Sequence, residues 1–379
     1  MRFPEFRDEW EMKIIKELFN VVSGSTPLRS NTSYYENGNI PWVKTTDLNN
    51  SLINNTSEKV TDIALNSLKL LPKDTVLIAM YGGFNQIGRT GILNIKATTN
   101  QAISALIKKD DYNSKFLQSY LNFNVKQWRR FAASSRKDPN ITKKDIEKFK
   151  IPYTCREEQE KIGTFFSKLD RQIELEEKKL ELLEQQKKGY MQKIFSQELR
   201  FKDENGNEYP EWEETTIEKT TKYSSSKKSS NQYTESNDSE GYPVYDAIQE
   251  IGKDLQYDMK EPYISILKDG AGVGRLNLRA GQSSVIGTMG YLQPNNVDLQ
   301  FLYYKMNMLN FKKYVIGSTI PHLYYKDYSK EKIQIPSSFE EQKKIGHFIL
   351  NIDKMIEIKT FKIDYLKQRK QGLLQKMFI

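Results

Sequence analysis

The chain has 379 residues, enough for two or three domains with cores of their own. Its apolar content of 37% and mean hydropathy of -0.69 are low, yet 22 Tyr, 18 Phe and 4 Trp argue against general disorder, and a formal charge of +9 favours a polyanionic partner. One cysteine, Cys155, excludes an intramolecular disulfide, and with only His322 and His347 beside it no Cys/His zinc site can form.

The chain begins MRFPEFRDEW, which lacks the shape of a signal peptide, and no apolar run approaches the length of a membrane span. A cytoplasmic protein without a membrane partner is the expectation. Arg2-Phe3 and Glu9-Trp10-Glu11 return in mid-chain as Arg200-Phe201 and Glu211-Trp212-Glu213. The sequence is therefore read as a repeat.

Further along, Ile40-Pro41-Trp42 is answered by Tyr242-Pro243-Val244, and the strand-like stretch 74–81 by 261–268. Each stretch runs into a glycine-rich turn closing in Gly-Arg, Gly82-Gly83 to Gly88-Arg89 and Gly270 to Gly274-Arg275. Ala102 to Ile107 reads as another strand. Amphipathic helices are expected near Ser114 to Phe131 and Leu299 to Val315, followed in each half by a basic loop leading to Ile151-Pro152 or Ile335-Pro336.

The strongest repeat is Glu157 to Phe195 against Glu340 to Phe378, in which a constant shift superposes Gln159 on Gln342, Gly163 on Gly346, Asp170 on Asp353 and Gly189 on Gly372. Thr154 with Glu157, and Ser337 with Glu340, read as capping boxes, so both stretches are predicted to be helices with defined starts. Alternate steps of four and three place Ile162, Phe166, Leu169, Ile173, Leu180, Leu183, Tyr190 and Ile194 on one seam. The second seam is Ile345, Ile349, Ile352, Ile356, Ile363, Leu366, Leu373 and Met377.

Polar residues interrupt both seams at matching steps, Glu176 and Lys187 in one, Lys359 and Lys370 in the other. A seam of this period needs a partner helix, and the chain supplies two. Antiparallel pairing follows if the halves are related by a pseudo-two-fold axis, with Glu176 about one turn from Lys359 and Leu169 near Lys370. The fold class expected is α/β (α+β): two related mixed α/β domains, 1–153 and 199–336, and two long helices, 154–198 and 337–379, forming an antiparallel coiled coil.

Candidate nucleic-acid contacts lie in the heads. In the first, Arg129, Arg130, Arg136, Lys137, Lys143 and Lys144 are interleaved with Trp128, Phe131, Asn140 and Thr142. The matching loop of the second holds Lys312, Lys313 and Lys326 with Tyr314, His322, Tyr324 and Tyr325. Basic side chains neutralise phosphates and Arg, Lys, Asn and Gln read base edges, although lysine-rich loops are also ordinary solvated surface.

The glycine turns, with Tyr81, Phe84, Asn85, Gln86 and Arg89 in one head and Lys268, Asp269 and Arg275 in the other, form a second candidate surface. Glycine lets a loop approach a backbone closely, but hairpins also use it for shape alone. Lys44 and Tyr245 follow the X-Pro strands. No GxxxxGK[ST] loop is present, and Gly270, Gly272 and Gly274 run into Arg275, which suits a turn better than a dinucleotide loop.

Two diverged heads, each followed by a near-identical helix, resemble the specificity subunit of type I restriction-modification enzymes. The residues carrying the likeness are Ile151-Pro152, Glu158-Gln159, Ile162, Leu169-Asp170 and Ile173, then Ile335-Pro336, Glu341-Gln342, Ile345, Ile352-Asp353 and Ile356. The resemblance implies that the heads are target-recognition domains, each reading one half of a bipartite site in double-stranded DNA. It implies that the helix pair sets the gap and recruits two methyltransferase subunits, joined for restriction by two translocating nuclease subunits.

It also implies no active site, cofactor or metal in this chain; S-adenosylmethionine, ATP and Mg would belong to the partners. The rival readings are a coiled-coil adaptor with protein-binding heads and a self-sufficient nuclease or methyltransferase. Roughly 33 residues of helix at about 1.5 Å each span roughly 50 Å, against about 34–36 Å for one turn of DNA. The outer positions Glu174, Lys178, Glu181, Gln185 and Gln192, with Gly163, Gly189, Gly346 and Gly372, are the expected docking face.

Overall fold

A computed structural model of the protein describes residues 2–83, 85–133, 140–233 and 240–378. It divides into two compact units, Met1–Lys178 with Thr360–Ile379, and Lys179–Lys359. In chain order the first head contains β1 (Glu11–Ile14), α1 (Ile15–Leu18), β2 (Phe19–Ser23), β3 (Ile40–Val43), β4 (Ser51–Ile53), β5 (Glu58–Val60), β6 (Val76–Ala79), β7 (Thr90–Leu93), β8 (Thr98–Thr99), β9 (Ile103–Lys108), α2 (Ser114–Phe123), α3 (Val125–Ala133), α4 (Lys143–Lys148) and β10 (Lys150–Tyr153).

The long helix α5 (Arg156–Phe195) follows. The second head contains β11 (Trp212–Thr216), α6 (Ile217–Thr220), β12 (Thr221–Ser225), β13 (Tyr242–Tyr245), β14 (Glu250–Asp254), β15 (Tyr263–Leu267), β16 (Leu276–Arg279), β17 (Ser284–Val285), β18 (Met289–Pro294), α7 (Leu299–Asn307), α8 (Tyr325–Tyr328) and β19 (Lys332–Pro336). The second long helix, α9 (Phe339–Phe378), closes the described chain.

Both heads are mixed α/β and share one plan. The main sheet of the first runs β2-β9-β6-β7-β4 and that of the second β12-β18-β15-β16, with antiparallel neighbours apart from the added β4, which lies parallel to β7. The central strands β6 (VLIA) and β15 (YISIL) are buried at every position; the first is apolar throughout, and the second is interrupted only by Ser265, whose hydroxyl accepts from Arg279 Nε (3.3 Å). A small sheet accompanies each, β5-β3-β8 and β14-β13-β17, in which the X-Pro strand pairs in parallel with a two-residue strand.

The Ile-Pro strands β10 and β19 each pair with a single partner, β1 or β11, so the N–H that proline lacks is not missed by a second neighbour. The expected helix over Ser114 to Phe131 is two helices. Asn124 interrupts it, its side-chain amide donating to the Tyr120 carbonyl (2.9 Å). In the second head α7 stops at Asn307 and a single 3-10 turn, Phe311–Tyr314, stands where the first has α3.

The long helices pack antiparallel, α5 rising in number as α9 falls. In the first unit Asp170 pairs with Lys370, Glu176 with Lys362 (3.1 Å) and Glu177 with Lys367 (2.7 Å). In the second, Lys187 pairs with Asp353 (2.5 Å). Ile162, Phe166, Ile173, Ile194, Ile345, Ile349, Ile352, Ile363, Leu366 and Met377 are buried, whereas Leu169, Leu180, Leu183 and Ile356 are half-buried.

Tyr190 departs from the expected seam: it is 40% exposed, and Met191 beside it is buried. The other copy shifts at the matching step, with Leu374 buried at 1% and Leu373 only half-buried. A straight helix drifts by about 20° per heptad against a 3.5-residue repeat, enough over several heptads to hand the inward position to the next residue. These ends no longer serve a helix seam alone, since Leu374 and Met377 enter the core of the first head, and Met191 and Ile194 that of the second.

Each helix also starts one residue later than the expected capping box. With α5 opening at Arg156 and α9 at Phe339, Glu157 and Glu340 lie a position too early, and the following glutamates are turned inward instead. Glu158 and Glu341 have fully buried side chains. Glu158 accepts from Arg2 Nε (2.8 Å) and Nη2 (2.6 Å), Trp10 Nε1 (2.9 Å) and Thr154 Oγ1 (2.6 Å).

Glu341 accepts from Arg200 Nη2 (3.0 Å) and Trp212 Nε1 (3.3 Å). Burial pushes the Glu158 carboxyl up, but the hydrogen bonds from Arg2, Thr154 and Trp10 outweigh it and leave it below the ordinary carboxylate range. The neighbouring glutamines complete the joint. Gln159 accepts from Asn113 N (2.9 Å) and Gln342 from Asp298 N (2.8 Å), fastening the N-caps of α2 and α7.

Candidate nucleic-acid interface

In the first head β6 leads into the turn Tyr81 to Arg89 and returns as β7. Ala79 N donates to Arg89 O (2.9 Å) and Gly88 N to Ala79 O (3.0 Å), and the glycines take φ of +110° (Gly82), +80° (Gly83) and +78° (Gly88), which a side chain would strain. The basic loop is fastened to this turn by its backbone, Ile141 N donating to Met80 O (3.0 Å). The two candidate surfaces are one platform.

The second head repeats the scheme bond for bond. Leu267 N donates to Arg275 O (2.9 Å), Gly274 N to Leu267 O (2.8 Å) and Leu323 N to Lys268 O (2.8 Å). Gly274 leaves room for Phe311, whose Cβ would stand 3.0 Å from an added methyl, as Trp128 at 3.2 Å does for Gly88. By these equivalences Tyr81 stands where the second head has Asp269, and Asn140 where it has His322.

The first platform presents Tyr81 (39% exposed), exposed Asn85 and half-buried Gln86, Arg89 and Asn140. Arg129 and Arg130 are exposed on α3 directly after Trp128, and Lys143 and Lys144 on α4 directly after the Ile141 tie. Lys44 is half-buried and committed to Glu58 (2.9 Å); its neighbour Thr45 lies 3.7 Å from where a Gly82 side chain would begin. Arg29 and Lys44 together bring the Glu58 carboxyl down to about 2. Phe84, Arg136 and Lys137 lie outside the described residues.

The second platform gathers Lys268, Asp269, His322 and Tyr324, with Arg275 exposed at the end of its turn. Lys312 is exposed on the turn that begins at Phe311, Lys313 is drawn to Glu331 (2.7 Å), and Lys326 is exposed with its ammonium 5.6 Å from the Tyr324 ring. Tyr245 is set apart. Its ring carries the Arg279 guanidinium at 4.2 Å, and Arg279 donates in turn to Asp246 O (2.8 Å).

Arg279 was not among the residues expected from the sequence, because nothing local to it marks a partner on another strand. Among the described residues no group of His, Cys, Asp and Glu is arranged to hold a metal ion, and no helix is long and apolar enough to cross a membrane.

The sequence matches the type I restriction modification DNA specificity domain over residues 7–185 and again over 209–368, once per head and helix. The chain belongs to the family of type I DNA specificity subunits. Membership places it among the DNA-recognising, non-catalytic members of type I restriction-modification enzymes. It is 24% identical to the type I restriction enzyme MjaVIII specificity subunit of Methanocaldococcus jannaschii over 417 residues, 99% of this chain and 92% of that protein.

The MjaIX specificity subunit of that organism is 32% identical over 184 residues, 46% of this chain and 41% of that protein. Against this relative the chain is matched over less than half of either length. In structure the chain is similar to the S subunit of a type I restriction-modification system from M. genitalium, with a TM-score of 0.70, 19% identity and coverage of 97% and 96% of the two chains. That likeness is one of fold: two mixed α/β domains linked by long helices that pack together.

Proposed function

We propose that each platform of this specificity subunit reads one half of a bipartite, asymmetric site in duplex DNA, and that the helix pair sets the spacer between them. The observation carrying this is the identical backbone scheme of the two platforms with different side chains at equivalent positions, Tyr81 and Asn140 in one, Asp269 and His322 in the other. A common frame with exchanged side chains is what reading two different half-sites requires. Residues 1–153 and 199–336 act as the target-recognition domains, 154–198 and 337–379 as the ruler.

In the first head Arg129, Arg130, Lys143 and Lys144 take phosphates while Tyr81, Asn85, Gln86, Arg89 and Asn140 face base edges. In the second, Lys312 and Lys326 take phosphates, and Lys268, Arg275, His322 and Tyr324 face bases. Lys44 and Lys313 support the platforms through their partners Glu58 and Glu331, while Tyr245 lies apart with Arg279 against its ring.

The outer faces of the long helices dock two methyltransferase subunits, joined for restriction by two translocating nuclease subunits; S-adenosylmethionine, ATP and Mg belong to those subunits. Exposed apolar side chains favour such docking: Phe361 at 74% and Tyr365 at 56% in the first unit, Leu182 at 58% and Ile358 at 69% in the second. Gly189 and Gly372 stand open for a partner's approach. Gly163 and Gly346 do not, because a methyl there would meet Phe116 N at 2.7 Å or Phe301 N at 2.8 Å within the chain itself.

Reversing charge at Arg129, Arg130, Lys143 and Lys144 tests the reading. Duplex affinity, measured with the co-expressed methyltransferase subunits over a salt series, is expected to fall, and the salt slope to shrink by about 0.9 for each phosphate that is no longer neutralised. Unchanged affinity and slope would remove this surface from the interface.

A further inference from the structure

On the second platform His322 lies opposite Asp269 in an isolated antiparallel bridge, with Gly270 N donating to Pro321 O (2.9 Å) and Leu323 N to Lys268 O (2.8 Å). Its Nδ1 stands 2.7 Å from Asp269 Oδ1, and the other carboxylate oxygen receives Lys268 Nζ at 2.5 Å. The ring is parallel to that of Tyr324 (5° between planes, centroids 6.1 Å apart), and its side chain is 36% exposed. Nε2 has no hydrogen-bond partner among the described residues.

The chemistry of Asp269 fixes that of the ring. Burial pushes its carboxyl up, but the hydrogen bonds from Lys268 and His322 outweigh burial and hold it below the ordinary value, so near neutral pH it is an acceptor only. Nδ1 must therefore carry the hydrogen, and in the neutral ring Nε2 presents a bare lone pair outward. A lone pair aimed at the major groove meets the exocyclic amino group of adenine or cytosine, N6 or N4, and is repelled by guanine, which presents only the O6 and N7 acceptors, and by the O4 acceptor of thymine.

We infer that His322 is a specificity-determining residue of the second half-site, accepting through Nε2 from an adenine N6 or cytosine N4 amino group, with Asp269 the positioning residue that sets its tautomer. The inference rests on the reading of this platform as a DNA-reading surface. Asp269 is thereby moved from a direct DNA contact to a group acting through His322. Asn140 at the equivalent place in the first head can offer either donor or acceptor, and the two half-sites differ accordingly.

A duplex pool with randomised half-sites, selected by the full chain with its co-expressed methyltransferase subunits, locates the position. His322→Ala is expected to flatten base preference at one position of one half-site, by about fivefold to tenfold, the lower end of what a paired side chain discriminates, with the other half-site unchanged. At that position, a duplex whose adenine or cytosine lacks its exocyclic amino group should weaken the parent by the same factor and leave His322→Ala indifferent, closing a double-mutant cycle.

Asp269→Ala should blunt discrimination at the same position and nowhere else, Asp269→Glu should restore it, and His322→Gln should favour adenine there. These variants decide the matter where His322→Ala fails to fold. A parent indifferent to loss of the amino group, or unaltered preference in the His322 and Asp269 variants, overturns the inference while leaving the platform reading intact. A parent that selects no bipartite site overturns that reading itself.

Discussion

The joint at the base of each head and the platform that faces outward are built on opposite terms. At the joint Arg2, Trp10, Glu158, Gln159 and Gly163 recur as Arg200, Trp212, Glu341, Gln342 and Gly346, with the same Arg–Glu, Trp–Glu and Gln–backbone hydrogen bonds in both units; the Thr154 bond to Glu158 has no counterpart, Ser337 donating instead to Glu211 O. At the platform the backbone bonds and the closing Gly-Arg recur, while Tyr81 and Asn140 of one head give way to Asp269 and His322 in the other. Burial accounts for the difference: a carboxylate with no solvent access tolerates few partners, whereas an exposed turn fixes only its glycines.

The largest effect that would sharpen this contrast is expected at the joint. Arg2→Ala or Arg200→Ala leaves a buried carboxylate unpaired, and each should cost about 3–5 kcal/mol in denaturant unfolding of its unit. Substitution of the exposed Lys144 or Lys326 should move stability by less than about 0.5 kcal/mol. Equal losses at joint and platform would break the distinction.

Acid is expected to act on both heads alike. Hydrogen bonds from Arg29 and Lys44 hold Glu58 at about 2, and hydrogen bonds from Lys228, Gln256 and Tyr233 hold Asp254 at about 2. A carboxyl depressed on folding contributes stability that is complete above its unfolded value, near 4, and lost as pH falls towards the folded value near 2. Unfolding free energy measured from pH 5 to pH 2 should therefore decline through that window, and Glu58→Gln should flatten the part due to the first head.

The smallest effects separate the helix glycines. Gly189→Ala and Gly372→Ala, which meet nothing within 4 Å, should each stabilise by about 0.5–1 kcal/mol. Gly163→Ala and Gly346→Ala should destabilise despite the same gain in helix propensity, because the methyl would collide with the capped start of α2 or α7. Thermal melts of the four variants check the sign.

Much of the architecture was legible in the sequence. The two long helices, the buried strands β6 and β15 and the glycine turns follow from period, apolar runs and Gly-Arg endings. The joint was visible only as an unexplained echo, since Arg2 and Glu158 are 156 residues apart and Arg200 and Glu341 are 141 apart. Local pattern says nothing of such a pair. The seam was misplaced at Tyr190 because a strict heptad ignores the drift of a straight helix. The platform could not be assembled beforehand, because the Met80–Ile141 and Lys268–Leu323 bonds that weld turn to loop involve no side chain that a sequence could mark.

The most direct test is the duplex site selected by the full chain with its methyltransferase subunits when one platform at a time is altered. Arg89→Ala with Asn140→Ala should change one half-site, and Arg275→Ala with His322→Ala the other, with the spacer constant in both. If either pair changed both half-sites, or neither pair changed any base preference, the heads would not be separate readers and the account would fail.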